Sequence, residues 1–128
     1  MDFAIEDLRG ILDEGIDQED ISLCHLAVAF ERRFERLGLV EDLEYAFTLL
    51  DCARALAHPA STVSLMVYNT LGICYRQRFL QFGSLTDIDT SIAHLRTALV
   101  EGDWEKNPSQ NGVQAMILQN LGTSLSRR

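Results

Sequence analysis

Apolar residues recur at helical spacing in six stretches of the chain, and no stretch alternates as a strand series does. The first, over 1–15, carries Ala4, Leu8, Ile11 and Leu12 and stops before Gly15, a residue suited to a helix C-terminus. Asp17 and Asp20 resemble an N-cap arrangement and open a longer stripe of Ile21, Leu26, Phe30, Phe34 and Leu37, closed by Gly38. A helix with Leu43, Ala46, Phe47, Leu50, Ala53 and Leu56 follows, and Pro59 forbids its continuation. The plan then repeats. Val63, Met66, Val67, Leu71, Cys74, Tyr75, Phe79 and Phe82 run to Gly83, and Ile88, Ile92, Leu95 and Leu99 run from a predicted N-cap at Thr86 to Gly102. The polar segment 103–111, which contains Pro108, reads as a loop, and Val113, Met116, Ile117, Leu121 and Leu125 predict a last helix within 112–128.

The stripes are copies of one another. Leu26, Arg33, Phe34, Gly38, Asp42, Leu50 and Ala53 return 45 positions later as Leu71, Arg78, Phe79, Gly83, Asp87, Leu95 and Ala98. At an offset of 50, Val63, Met66, Leu71, Gly72 and Arg78 return as Val113, Met116, Leu121, Gly122 and Arg128. The five additional residues fit in the loop around Trp104, where an insertion disturbs no packed surface. Self-similarity at this period marks stacked helical repeats that bury their apolar faces against neighbours. The order predicted is a leading B-type helix (1–15), two A-B pairs (17–59 and 60–102), the loop 103–111 and a final A helix. These form a single domain over 1–128.

Leu71-Gly72-x-x-Tyr75, then Gly83, then Ser91-x-x-x-Leu95-x-x-Ala98 resembles the tetratricopeptide (TPR) signature, as does Ala46-x-x-x-Leu50-x-x-Ala53 one unit earlier. The A helix and turn are longer than in the usual unit of about 34 residues. With its R-F-x-x-x-G-x-L-x-D turn, this expanded form is similar to the TPR arrays upstream of caspase-like CHAT protease domains in fungal multidomain proteins, over roughly residues 18 to 128. The resemblance implies an all-α, right-handed superhelical solenoid of about six antiparallel helices. It further implies a sensing or scaffolding region that binds a partner and controls an attached effector.

Charge excludes some partners. The chain has 19 acidic and 11 basic residues for a net charge of -8, which argues against a nucleic-acid surface. Residues 1–20 hold eight of those acids and one base, either as a docking surface for a basic partner or, the simpler reading, as a solvated face. No apolar run reaches the roughly 20 residues of a membrane span, and the N-terminus lacks the basic flank and apolar run of a secretory signal. A cytoplasmic protein is expected, with its three cysteines reduced and no CxxC spacing among them.

Cys24, Cys52 and Cys74 with His25, His58 and His94 are the residue types of a thiol enzyme or a metal centre. Their spacing pairs none of them at i, i+4, and Cys74 lies in an apolar stripe, so packing is the preferred reading and no catalytic residue, metal or cofactor is assigned. Trp104 either anchors a partner or tucks over adjacent helices. Arg33, Arg78 and Arg128 form either a basic ladder or structural ion pairs with the following acids. The joint recurrence of Arg33 with Asp42 and of Arg78 with Asp87 favours the pairs.

By the TPR resemblance, ligand contacts come from A-helix positions facing the inner groove. Through the Leu71-Gly72 anchor these are Asn69, Ile73, Arg76 and Gln77, with Cys24, Val28, Glu31 and Arg32 before them and Gln119, Thr123, Ser126 and Arg127 after. Arg32, Asn69, Arg76, Gln77, Gln119 and Arg127 are the candidate partner-binding residues, a row of donors for an extended peptide. A non-catalytic protein- or peptide-binding module is therefore expected. The second reading is a self-association module, since the last helix keeps an apolar far side and the repeat breaks off at Arg128, as in a piece of a longer array.

Overall fold

The computed structural model describes residues 19–128, which form five α-helices with no strand among them. They are α1 (Glu19–Leu37), α2 (Val40–Leu56), α3 (Thr62–Phe82), α4 (Leu85–Glu101) and α5 (Asn111–Arg127), with a 3-10 turn at Pro108–Gln110 before the last. The fold is all-α, as the hydrophobic periodicity requires. The leading helix expected over 1–15 and the Asp17 cap lie outside the described residues.

Two tight hairpins, α1 with α2 and α3 with α4, share one turn chemistry. Gly38 and Gly83 sit at φ +70° and +78°, left-handed backbone that strains any residue with a Cβ. Each donates its N–H to a phenylalanine carbonyl four residues back, Phe34 or Phe79, at 2.7 Å. Both returns are then tied by a side-chain pair. Arg33 Nε donates to Asp42 Oδ2 at 3.0 Å, and Arg78 donates through Nε and Nη2 to Asp87 at 3.1 and 2.8 Å. Arg128, the third arginine of the series, pairs instead with Asp89 on α4.

Small residues let the hairpin helices close on each other. Ala27, Ala46 and Ala53 are fully buried between α1 and α2, where Leu23, Leu43 and Leu50 fill the space beside them. In the second hairpin, a Cβ on Gly72 would stand 2.6 Å from Leu95 Cγ, so only glycine admits the leucine there. One apolar cluster joins α1 and α2 to Val67, Leu71 and Cys74 of α3. A second joins Leu65, Leu95 and Ala98 to Ile117 of α5. Together they stack the pairs in sequence order.

The helix starts and the long loop refine the expectations. Helix α4 begins at Leu85 behind Ser84, so Thr86 lies inside its first turn rather than at its cap, and its carbonyl accepts from Thr90 Oγ1. The turn before α3 uses Ala60 at φ +62° ahead of Ser61, whose hydroxyl caps Ser64 N–H at 3.1 Å. In the loop, Trp104 folds back: its indole N–H donates to Leu99 O at 3.1 Å, and its ring packs on Gly102.

Candidate binding groove

The A-type helices α1, α3 and α5 stand side by side and enclose a cavity of about 870 Å³, and every side chain lining it belongs to one of the three. Its α1 wall is charged, with His25, Glu31, Arg32, Glu35 and Arg36. The rest is largely apolar, with Met66 and Ile73 from α3 and Val113 and Met116 from α5. Such a mixture accommodates an apolar segment while charged groups at one side orient it.

The six candidate donors separate into those that reach this cavity and those spent between helices. Arg32 is exposed and lines it. Asn69 also lines it but is only 4% exposed, and its Oδ1 accepts from Asn120 Nδ2 at 2.9 Å. Arg76 lies outside the cavity and is turned onto α5, donating to Asn120 O (3.1 Å), Asn120 Oδ1 (3.2 Å) and Ser124 Oγ (3.2 Å). Gln77 turns the other way, donating to Glu31 Oε1 at 3.3 Å and Glu35 Oε1 at 2.9 Å on α1. Gln119 and Arg127 are exposed on α5 and do not line the cavity. The expected row of open donors is thus interrupted in its middle unit. Polar groups drawn into a seam between helices must find partners there, and Asn69, Arg76 and Gln77 do.

The polar seam continues inward. Ser91 donates its one proton to Gly72 O at 2.6 Å, so in the 2.8 Å contact between Ser124 and Ser91 the donor is Ser124. Arg76, Ser124, Ser91 and Gly72 therefore form one directed chain that ties α5 to both helices of the preceding pair.

Two ionisations in this region are displaced. Burial, followed by the hydrogen bond and charge of Glu35 one turn away, pushes the Glu31 carboxyl up to about 8. Burial lowers the affinity of the Arg76 guanidinium for its proton. Neither change builds a nucleophile.

The cysteine and histidine set is dispersed. Cys24 and Cys74 are buried, which raises the Cys24 thiol to about 11 and the Cys74 thiol well above its ordinary value, so both stay protonated. Cys52 is exposed on α2. His94 lies against the rings of Tyr68 and Tyr75 at 5.8 and 5.5 Å, and burial lowers its proton affinity. Among the described residues, no group of three or more His, Cys, Asp or Glu is placed to hold a metal ion. Nor, among them, is any helix long and apolar enough to cross a membrane.

His25, Glu35 and Arg36 line the groove although the repeat alignment did not name them, and Met66 and Met116, which it paired with each other, line it without having been read as groove residues. The signal for part of this set was present: His25, Ala29, Arg32 and Arg36 follow one another at intervals of four, three and four on α1, a single face of a helix. No family model matches the chain, and neither a curated protein nor a solved structure does.

Proposed function

We propose that the chain is a non-catalytic protein-binding module, a TPR-like right-handed solenoid that holds a peptide segment of its partner in the groove of its A-type helices. The observation that carries this reading is the cavity itself, lined only by α1, α3 and α5 and combining an apolar floor with a wall of both charge signs. The helices that frame it are packed on the opposite side by α2 and α4, so the groove exists before the partner arrives and little conformational entropy is lost on docking. Arg32, Arg36 and Glu35 orient a segment that carries charges on either side of an apolar centre. Within a larger protein, such docking would act as the sensing or scaffolding step that controls an attached effector.

The test is a peptide-display selection on the folded protein, followed by calorimetry of selected peptides on variants. Selected peptides should share apolar residues at the centre and lose at least tenfold in affinity on Ile73→Glu and on Arg32→Glu. Exposed Arg96→Glu on α4, away from the groove, should leave affinity unchanged. Selection that returns no binder, or binders indifferent to both groove changes, would reject the reading.

A further inference from the structure

The face that α3 turns to α4 is built from Leu65, Tyr68, Gly72 and Tyr75. Leu65 joins Leu95 and Ala98 in one buried cluster, Tyr68 and Tyr75 meet His94, and Gly72 receives Leu95 and the Ser91 hydroxyl. Fifty positions later, the same places on α5 are Ala115, Leu118, Gly122 and Leu125. There they are open: Leu118 is 51% and Leu125 44% exposed, and nothing lies within 4 Å of a Cβ placed on Gly122. This is a seat for a B-type helix, complete with the glycine notch, and none of the described helices occupies it.

The chain contains one further stretch with the B-type pattern. Small-apolar-x-x-Leu-x-x-apolar occurs as Ala46, Phe47, Leu50, Ala53 on α2 and as Ser91, Ile92, Leu95, Ala98 on α4. It occurs again as Ala4, Ile5, Leu8, Ile11. The one departure is in size, and it is compensated. Where Leu65 shares a cluster with Ala98, the open seat offers Ala115 and the third copy brings Ile11. Charge agrees as well: α5 contains no acid and ends in Arg127 with Arg128 beside it, whereas residues 1–20 hold eight acids and one base.

Within its own chain the segment would meet this seat only at full stretch. Axes of adjacent packed helices lie about 8–10 Å apart, which puts the seat beyond α5 roughly 25 Å from α1, counting α1 to α3, α3 to α5 and α5 to the incoming helix. The backbone from Leu12 to Glu19 spans at most about 25 Å when fully extended, so it would have to run straight across the intervening helices with no slack. A second molecule has no such restriction. We propose that the seat on α5 receives residues 4–12 of another copy, so that copies join head to tail and α5 is followed by a B-type helix in trans. The contact is heterologous: one surface gives and a different one takes, so association adds copies rather than stopping at a symmetric pair. It leaves the groove free and is independent of what binds there.

Analytical ultracentrifugation of the 128-residue chain over a concentration series tests this, with circular dichroism to verify that each variant stays helical. The wild type should grow past dimer as concentration rises, and added salt should weaken the growth. Leu118→Glu spoils only the taking surface and Leu8→Glu only the giving one. Each alone should lower the association constant at least tenfold. An equimolar mixture of the two variants should form dimers and go no further, because each retains one good surface. A wild type that stays monomeric at millimolar concentration would overturn the proposal. So would association that survives either variant, or a mixture that behaves as the separate variants do.

Discussion

The hydroxyl of Ser91 donates to the carbonyl of Gly72 over 2.6 Å, a side chain from one helix bonding to the backbone of its neighbour. That closeness exists because Gly72 presents no Cβ, and the space one would fill is taken by Leu95 at 2.6 Å. Gly122 occupies the matching place one unit later and has nothing within 4 Å. The two glycines should therefore respond to alanine with opposite sign. Gly72→Ala forces Leu95 or the helix aside and should cost about 1–3 kcal/mol. Gly122→Ala meets no neighbour and should gain up to about 1 kcal/mol from helix propensity. Urea unfolding at a protein concentration low enough to keep the chain monomeric measures both. Equal effects would show that Gly122 is as confined as Gly72 and would contradict the open seat on α5.

The two Arg-Asp pairs differ in depth although their sequence context is alike. Asp42 has a side chain with no exposed area, accepts a single bond from Arg33 through Oδ2, and its Oδ1 has no hydrogen-bond partner among the described residues. Asp87 is 10% exposed and accepts twice from Arg78, which is itself 41% exposed and lies over Phe47 and Tyr75 at 4.9 and 5.1 Å. Arg33→Met strands a buried carboxylate and should destabilise by about 3 kcal/mol. Arg78→Met leaves a carboxylate that water can reach, keeps most of the ring contact, and should cost about 1 kcal/mol. Chemical denaturation curves of the two variants decide the order, and a larger loss at Arg78 would contradict it.

What could be read from the chain followed from the kind of constraint each residue obeys. Gly38, Gly83, the Arg33-Asp42 and Arg78-Asp87 pairs and the Leu50 and Leu95 positions are fixed by contacts inside a hairpin, and local contacts repeat with the sequence. That Asn69, Arg76 and Gln77 are engaged between helices was not legible, because their partners, Asn120, Ser124, Glu31 and Glu35, lie on neighbouring units. The alignment gives the level of a residue along its helix but not the closeness of the next one. A hint was present in Ser124, a hydroxyl where the second unit has the core residue Cys74. Thr86 was misplaced for a simpler reason: the hairpin turn is set by Gly83, and a glycine-driven turn starts the helix two residues sooner than a side-chain cap at Thr86 would.

The three thiols should separate by reactivity. Cys52 is exposed, whereas Cys24 and Cys74 are buried and held protonated by burial. Under native conditions at pH 8, iodoacetamide should label Cys52 alone. In concentrated guanidinium it should label all three, with the sites assigned by mass spectrometry of a digest. Rapid native labelling of Cys74 would mean that α3 separates from α1 and α2 far more readily than their shared core allows.

The Glu31 carboxyl gives the fold a pH dependence opposite to that of an ordinary salt-bridged acid. Its ordinary value is 4.5 and its value in the fold is about 8, because burial and Glu35 both oppose the charge. Between these values the folded chain binds the proton and the unfolded chain does not, so raising the pH removes stability across this window. The contribution is fully present below pH 4.5, is lost as the pH passes through about 8, and is constant above it. Other carboxylates contribute slopes of their own, so the useful quantity is the difference between Glu31→Gln and the wild type. Gln cannot ionise and keeps a polar amide beside Gln77 and Glu35. Its Tm relative to wild type should rise steadily from pH 5 to pH 8 and level off by pH 9, where, after allowance for solvent screening at the groove, the variant should be ahead by roughly 5 °C. A difference that is flat with pH, or that shrinks as pH rises, would mean that Glu31 is ionised in the native groove, where Gln77 Nε2 donates to it.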